Sequence, residues 1–246
     1  MADDANTRAI AIRDAVAADA LHLARLAIMA GHGLLDIFYG GLVQGKSTAE
    51  IVAERRMLSK GNFAELANWR VAAADGSLLG ALNSFPHAVF GTSPPDPLLT
   101  AERLSVVDAL TELETSATGA YYINIVAVYP ECRKTGIGGK LMAEAERLAR
   151  RGGFRRMALS TFAADTGLVD FYRRQGFRIR GTRPIAPHPA LEHGGEWALM
   201  VRDLGPLHAA RPSLPCRAGA IRFADERLYR CSVAPGPSGR WSFCLV

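Results

Sequence analysis

The part of the chain with the clearest chemical potential is a glycine-rich turn between an apolar strand and a helix. It consists of Arg133, Lys134, Thr135, Gly136, Ile137, Gly138 and Gly139. Gly136 and Gly138 let the backbone approach a ligand closely, because glycine has no Cβ. The helix behind the turn directs free N–H groups and the positive end of its dipole toward it. We therefore predict a pyrophosphate site, with positive charge added by Arg133 and Lys134; a tight turn without a ligand is the alternative.

Two elements must hold this turn in place. Residues 121–129 (YYINIVAVY) are β-branched, aromatic and almost continuously apolar, which is typical of a central strand covered on both faces. Leu141, Ala145 and Leu148 recur at helical spacing and predict a helix over residues 138–151. The turn thus follows a central strand and opens a helix.

A second segment with chemical potential follows at residues 165–177. It predicts a short helix over residues 166–175 that is closed by Gly176. Tyr172 lies on this helix beside Phe171, and its phenol could donate a proton. The alternative is that Tyr172 is a core residue with a hydrogen-bonded hydroxyl.

Together, the two segments resemble the cofactor-binding motifs of the GNAT N-acetyltransferases. Arg133-x-x-Gly136-x-Gly138 is similar to the family's Arg/Gln-x-x-Gly-x-Gly/Ala motif, and the strand YYINIVAVY resembles the strand that precedes it. Residues 165–177 (DTGLVDFYRRQGF) resemble the family's Asn-x-x-Ala-x-x-Phe-Tyr helix with its closing Gly-Phe. The resemblance covers roughly residues 7–203.

This resemblance implies an N-acetyltransferase that moves the acetyl group of acetyl-CoA to an amine of a small molecule or peptide by direct attack. It implies a pyrophosphate on residues 133–139 and a cofactor contact at Asp165. The implied contacts to the pantetheine arm are backbone groups of Val126, Ala127 and Val128. A backbone N–H near Val126 would polarise the thioester carbonyl, and Tyr172 would be the catalytic acid that protonates the departing thiolate.

The sequence departs from the family pattern at two places. Asp165 stands where the family has Asn. Tyr122 and Asn124 occupy inward positions of the central strand, where many such enzymes carry a carboxylate base. A base acting through water could instead be Glu112, Glu114, His87 or His188, although a surface or loop position is the competing interpretation for each. The missing carboxylate keeps open a second function, a catalytically silent acyl-CoA-binding sensor or interaction domain.

The patterns and the resemblance predict an α/β (α+β) fold, with a mixed, curved sheet flanked by helices. The predicted order is β-α-α-β-β-β-α-β-α-β-β, with a C-terminal extension. Asp75-Gly76 predicts a hairpin turn. The predicted strands are residues 9–12, 69–73, 78–82, 121–129, 157–161, 177–181 and 196–201. The predicted helices are residues 15–30, 49–58, 138–151 and 166–175, with a glycine-rich loop over 31–45. Residues 101–113 could form a further helix inserted before the next strand.

A rival motif lies at residues 40–47 (GGLVQGKS), which satisfy the P-loop pattern Gly-x4-Gly-Lys-Ser. A P-loop must follow a strand of a parallel sheet, and an aspartate at the end of another strand must hold magnesium. Asp108, after only two valines, is the nearest such residue. A surface loop near the acceptor site is therefore favoured over a nucleotide-binding loop. A dinucleotide fingerprint is excluded, because Leu141 stands where its third glycine is required.

The composition indicates in which compartment the protein is expected and whether a metal site is predicted. Apolar residues make up 49% and charged residues 22%, which is typical of a globular protein. No apolar run approaches the roughly 20 residues that span a bilayer, and the acidic N-terminus lacks a secretory pattern. We expect a cytoplasmic protein without a membrane partner; a homodimer is compatible with the sequence. The four cysteines include no Cys-x-x-Cys pair, so no metal site is predicted.

The charge is concentrated near the C-terminus. Residues 205–246 contain six arginines against two acidic residues and so carry most of the net charge of +5. Because a nucleic-acid-binding domain normally shows a basic face on its folded body, no nucleic-acid partner is predicted. Five prolines and weak apolar periodicity predict a poorly ordered tail at 205–246, after an acetyl-CoA-binding domain at 1–204.

Cutting the chain after Leu204 should leave the fold and the affinity for acetyl-CoA essentially unchanged. A tail with few patterned apolar residues is not expected to offset the roughly 1–2 kcal/mol per residue that backbone ordering costs. The alternative is that its apolar spots at 221–223, 228–229 and 241–246 dock on the sheet or form a hairpin. The measurement is thermal melting of the full-length and truncated proteins, with and without acetyl-CoA. A melting temperature lower by more than about 5 °C in the truncated protein would contradict the prediction.

Overall fold

The computed structural model describes residues 9–205 of the 246-residue chain. Seven strands form one sheet in the order β1-β2-β3-β4-β5-β7-β6, in which only the β4–β5 pair is parallel. The strands are β1 Ala11–Asp14, β2 Trp69–Ala74, β3 Ser77–Pro86, β4 Tyr121–Val128, β5 Arg156–Phe162, β6 Arg178–Pro184 and β7 Glu196–Asp203. The predicted tail and its boundary lie at or beyond the end of the described residues, and both stay predictions.

Eight α-helical segments accompany the sheet within residues 9–205. They are α1 Ala20–Ala30, α2 Leu34–Tyr39, α3 Thr48–Val52, α4 Val89–Thr92, α5 Ala101–Leu104, α6 Asp108–Glu114, α7 Ile137–Arg151 and α8 Thr166–Arg174. The predicted fold class is confirmed, with additional short helices between β3 and β4. The predicted hairpin is also present as β2–β3, with Asp75 and Gly76 at positive φ in its turn.

The central strand β4 has different partners along its two edges. One edge pairs with β3 over the whole strand, from Tyr121 to Val128. The other edge pairs with β5 only at Tyr121 and Tyr122. Beyond these two pairs the strands part, and a gap opens between β4 and β5 toward their carboxyl ends.

A β-bulge in β4 lies immediately after the last β4–β5 pair. Ile125 is opposite Asn83 and Ile123 is opposite Ser84, so Asn124 is an extra residue on β4. The Asn124 side chain donates through Nδ2 to Asn83 Oδ1 at 2.8 Å, and both side chains are buried. A bulge bends its strand and increases the local twist, which turns β4 away from β5.

Each face of the sheet carries its own apolar layer. The face that contains Tyr122 and Ala158 packs against α1, α2, α3 and the segment between β3 and β4. The opposite face, which contains Ile123 and Leu159, packs against α7 and α8. The gap between β4 and β5 therefore lies between two differently built layers.

The structure corrects the predicted N-terminal elements. The first strand extends to Asp14, and α1 begins only at Ala20 instead of residue 15. Residues 31–45, predicted as a loop, contain α2, whose residues are buried except Asp36. Such a short helix is stabilised by tertiary packing and not by its own propensity, which explains why the pattern did not reveal it.

Two other predicted helices are interrupted. The predicted helix at 49–58 is α3 followed by a π-turn at Ala53–Met57. The predicted helix at 101–113 is divided into α5 and α6 by a tight turn at Ser105–Val107. Both interruptions lie in the layer that covers the Tyr122 face.

The P-loop interpretation is not supported by the fold. Residues 40–47 follow helix α2 and not a strand, and they lead into the five-residue helix α3. Lys46 Nζ forms an ion pair with Glu54 at 2.6 Å. Ser47 caps α3 and makes a capping box with Glu50. The glycines and the serine thus serve a surface turn and a helix start.

Two further expectations can be compared with residues 9–205. Over that range no helix is both long and apolar enough to cross a membrane. Cys132 is a free thiol. The other three cysteines lie outside the described residues.

The segment between β3 and β4 is fastened to α2 and the π-turn through Asp96. Its carboxylate is almost fully buried and accepts hydrogen bonds from Arg55 Nε (3.0 Å), the Tyr39 hydroxyl (3.1 Å) and the Leu98 N–H (3.0 Å). Burial raises the pKa of Asp96, but the hydrogen bonds and the Arg55 charge outweigh it, so the net pKa is lowered. Burial and the Asp96 charge raise the pKa of Tyr39 to about 12.

Replacing Asp96 with Asn should destabilise the protein by roughly 1–3 kcal/mol at pH 7, because the buried Tyr39 and the half-buried Arg55 lose a charged acceptor. The folded-state pKa lies below the unfolded value, so the ionised carboxylate contributes stability above the unfolded pKa and loses it as the pH falls. The difference between wild type and Asp96→Asn should therefore shrink below about pH 4. The measurement is urea unfolding at pH 7 and pH 3, with the exposed Asp170→Asn as the control.

Candidate functional site

The open edge of β4 presents backbone groups to the gap. The Tyr129 N–H donates to Leu79 O on β3, and N–H directions alternate along an antiparallel strand. The N–H and C=O groups of Ala127 therefore face β3, whereas those of Val126 and Val128 face the gap. The backbone beside the gap can thus bind an extended, amide-containing ligand.

Arg133 closes one end of this edge. Its Nε donates to Val128 O at 3.1 Å, which agrees with a Val128 carbonyl that faces away from β3. A terminal guanidinium nitrogen of Arg133 also lies 3.5 Å from Met29 Sδ on α1. Val126 is consequently the predicted contact residue whose backbone is best placed in the gap.

The glycine-rich turn leads directly from this edge into α7. Gly136 caps the helix with φ of +86°, a left-handed conformation that glycine adopts without strain. The first bond within the helix runs from the Lys140 N–H to Gly136 O. By helix geometry, the N–H groups of residues 137–139 have no carbonyl of their own helix to bond. Because α7 has 15 residues, its dipole adds positive potential at this point.

Most of the turn is accessible to a ligand. Arg133, Lys134, Thr135 and Gly136 are exposed, whereas Gly138 and Gly139 are half-buried. The Thr135 hydroxyl donates to Cys132 O at 2.6 Å and so braces the turn. Ile137 points into the core, which leaves only its backbone available for binding.

Gly138 brings α8 against the start of α7. A Cβ at Gly138 would lie 3.3 Å from the Phe171 ring, so this glycine also serves helix packing. Asp165 caps α8 by accepting from the Leu168 N–H at 2.9 Å. The carboxylate that replaces the expected Asn thus keeps a structural role at the helix start.

Tyr172 lies in the apolar layer between the sheet and the two helices α7 and α8. The layer also contains Ile123 of β4 and Leu159 of β5, which flank the gap. Tyr172 is 3% exposed and packs against the rings of Phe171 and Phe177. Burial, with the nearby Asp165 charge, raises the pKa of its hydroxyl, which therefore stays protonated at neutral pH.

A chain of hydroxyls and a carboxylate lies on the other face of the sheet. The Tyr122 hydroxyl donates to Glu114 Oε1 at 2.6 Å and lies 3.0 Å from Ser160 Oγ. All three residues are buried. Ser160 lies on β5 two residues beyond Ala158, where pairing with β4 has ended. The group therefore extends from the start of the gap to a buried carboxylate.

His87 adjoins this group but is oriented away from proton transfer with Glu114. Its Nε2 lies 2.9 Å from the backbone carbonyl of Glu114, which can only accept, so Nε2 carries the proton. Burial lowers the pKa of His87 and keeps the ring neutral at neutral pH. The ring packs against Phe90 and Tyr122 in the same layer.

Comparison with known protein families identifies the domain. Residues 62–177, from the loop before β2 to the end of α8, match the model of the acetyltransferase (GNAT) family. The chain contains a GNAT acetyltransferase domain. The match of this domain indicates acetyltransferase activity in general. No curated protein matches the chain significantly.

Solved structures with the same fold align with a longer part of the chain than residues 62–177. An acetyltransferase shares 19% identity at a TM-score of 0.55 and covers 79% of this chain and 99% of its own. An N-acetyltransferase from Staphylococcus aureus Mu50 shares 15% identity at a TM-score of 0.53, covering 78% and 99%. The polyamine N-acetyltransferase of Drosophila melanogaster shares 14% identity at a TM-score of 0.55, covering 80% and 100%. At these identities the similarity shows the GNAT fold.

Within the GNAT domain, the predicted site residues fall into two groups. The glycine-rich turn and Val126 adjoin the gap, and Tyr172 lies in the apolar layer that contains Ile123 and Leu159. Ala127 instead faces β3, and the Val128 carbonyl is bonded to Arg133. Their roles stay predictions. Of the four candidate bases, His188 is an exposed loop residue whose Nδ1 accepts from the Ala190 N–H, as its competing interpretation held.

Of the other three candidate bases, one lies on the surface and two are buried. Glu112 is exposed and pairs with Arg183, as expected of a surface residue. Glu114 and His87, for which a surface position or a loop hydrogen bond was expected, are both buried, and His87 is hydrogen-bonded to the Glu114 carbonyl. Ser160 was not predicted at all, because it stands in an ordinary apolar strand and contacts Tyr122 only through the fold.

Proposed function

We propose that this GNAT domain transfers the acetyl group of acetyl-CoA directly to the amine of a small molecule or peptide. The observation that carries the proposal is the gap between β4 and β5, with an accessible helix start at one side and a buried tyrosine in the apolar layer that contains Ile123 and Leu159. Enzymes of this family generally use acetyl-CoA, which would supply the thioester. A cytoplasmic location stays an expectation from the sequence, as does the possible homodimer.

The residues around the gap fit the chemistry of coenzyme A. The exposed turn at 133–139 offers backbone N–H groups and the Lys134 charge to a pyrophosphate. The Val126 N–H and C=O face the gap and can pair with the amides of a pantetheine arm. The same N–H, or a neighbouring one at the bulge, would polarise a thioester carbonyl.

The buried group on the Tyr122 face supplies a path for the proton of the acceptor. In the proposed step, the amine gives a proton to Ser160 Oγ as its nitrogen attacks the carbonyl carbon. Ser160 passes its own hydroxyl proton to the Tyr122 oxygen, and the Tyr122 proton goes to the Glu114 carboxylate. The Ser160 and Tyr122 oxygens each gain one proton and lose one. The Glu114 carboxylate gains one proton and keeps it. A carboxylate that is absent from β4 is thus provided by α6.

Tyr172 is the residue proposed to protonate the departing thiolate. Its raised pKa keeps the hydroxyl protonated at neutral pH, so a proton is present when the thiolate departs. It lies on the face opposite to Glu114, so the proton donor and the proton acceptor approach the gap from different layers.

Small amines are the acceptors to examine first. Two structural relatives are a polyamine N-acetyltransferase, which forms N-acetylagmatine, and an agmatine N-acetyltransferase. A panel of polyamines, aminoglycosides, amino acids and short peptides would define the acceptor class of this chain.

Replacing Glu114 with Gln should lower kcat for the best acceptor by on the order of 100-fold, since the final proton acceptor is lost. Tyr122→Phe and Ser160→Ala should have effects in the same direction. The exposed neighbour Glu112→Gln is the matched control and should retain wild-type turnover. Wild-type kcat in a folded Glu114→Gln protein would contradict the proposed proton path.

Placing Val at Gly138 should weaken acetyl-CoA binding by about tenfold or more, equivalent to about 1.4 kcal/mol or more. Because this side chain would also meet the Phe171 ring, the test is made in a Phe171→Ala background, with Phe171→Ala alone as the control. Binding is measured by calorimetry. If Phe171→Ala and the double variant Gly138→Val/Phe171→Ala bind acetyl-CoA with equal affinity, the placement of the pyrophosphate is overturned. Tight binding without turnover of any acceptor would instead favour the silent sensor.

A further inference from the structure

Two histidines and a glutamate meet where the turn between α1 and α2 contacts the loop between β6 and β7. His32 lies in the turn, and Glu192 and His193 lie in the loop. His32 Nδ1 lies 2.9 Å from Glu192 Oε2. One ligand atom from each of the three residues lies within 4.8 Å of the others. Three potential metal ligands thus converge from two distant parts of the sequence.

The backbone holds these ligands in place. His32 has φ of +47° and Gly33 has φ of +97°, so the turn is sharply folded. A Cβ at Gly33 would lie 1.8 Å from Ala190 O, which shows how closely the turn and the loop approach. The Glu192 N–H donates to His32 O at 3.1 Å. The ligands are therefore positioned by main-chain contacts and not by their own side chains alone.

The two imidazoles also share an aromatic support. The His32 and His193 rings are 4.7 Å apart between centroids, and they lie 5.4 and 5.1 Å from the Phe162 ring. Phe162 is fully buried and packs against Trp197 at 4.3 Å. This support restricts ring rotation, which lowers the entropy lost when the imidazoles bind an ion.

The donor set selects a class of ion. Two imidazole nitrogens and one carboxylate oxygen are ligands for zinc and related transition metals, whereas calcium and magnesium prefer oxygen alone. Ligand atoms around a tetrahedral zinc ion are about 3.3 Å apart at its usual bond lengths. Small side-chain rotations would bring the three atoms from within 4.8 Å to that spacing.

We propose that His32, Glu192 and His193 bind one divalent transition-metal ion, with zinc as the best-fitting ion. The fourth coordination position faces away from the protein ligands and takes water or another donor. The ion joins the α1–α2 turn to the β6–β7 loop. Its binding does not depend on whether the chain transfers an acetyl group.

The test uses full-length, untagged protein that has been treated with a chelator and then titrated with Zn²⁺ by calorimetry. We expect one ion per chain, and a melting temperature raised by about 5–10 °C at a 100-fold excess over Kd. Since loss of an outer-shell partner already costs about 10–100-fold, Glu192→Gln and His193→Gln should each weaken binding by at least about 10-fold.

The control is His22→Gln, which removes a histidine from α1 without touching the three ligands. It should bind Zn²⁺ as tightly as wild type. Glu192 is exposed, so Glu192→Gln should remain folded and its melting curve without metal should match that of wild type. The proposal is overturned if wild type binds no Zn²⁺, or if the affinity is unchanged in both Glu192→Gln and His193→Gln.

Discussion

The hydrogen bond between Asn124 and Asn83 is the interaction on which the site depends. It joins two buried amides across β3 and β4 at the bulge, where an unpaired polar group would cost about 1–3 kcal/mol. Asn83 also donates to Phe63 O and Asn68 O, which ties the bulge to the loop before β2. With the bulge fixed, β4 parts from β5 after two residue pairs. A β4 that was paired along both edges would have no backbone left for a ligand.

The gap also separates two environments of opposite chemical character. On the α7–α8 side, a protonated tyrosine lies in an apolar layer close to a positive helix end. On the other side, a buried carboxylate is connected to the gap by two hydroxyls. A direct transfer reaction requires a proton acceptor for the incoming group and a proton donor for the departing group. In the proposed reaction these two roles fall to groups on opposite faces of one sheet.

Local patterns were sufficient for some parts of this structure and insufficient for others. Strand β4, helix α7 and the turn between them were predicted because their signals are contained in a short continuous segment. The bulge was not predicted, since Asn124 interrupts no visible alternation in an apolar strand. The Glu114–Tyr122–Ser160 group was missed because its residues come from a helix and two strands. Helix α2 escaped prediction because it is flanked by glycines and is stabilised by its neighbours.

The contact between Gly33 and Ala190 has a consequence for synthesis of the chain. The turn between α1 and α2 leaves the ribosome early, but its backbone partner is among the last parts of the domain to be made. At ordinary rates of translation, roughly 10–30 s separate the two. During that interval the apolar layer that contains α1 and α2 lacks its last members, among them Ile185 and Trp197. A chaperone that holds the nascent N-terminal helices would therefore have its greatest effect before the β6–β7 loop emerges.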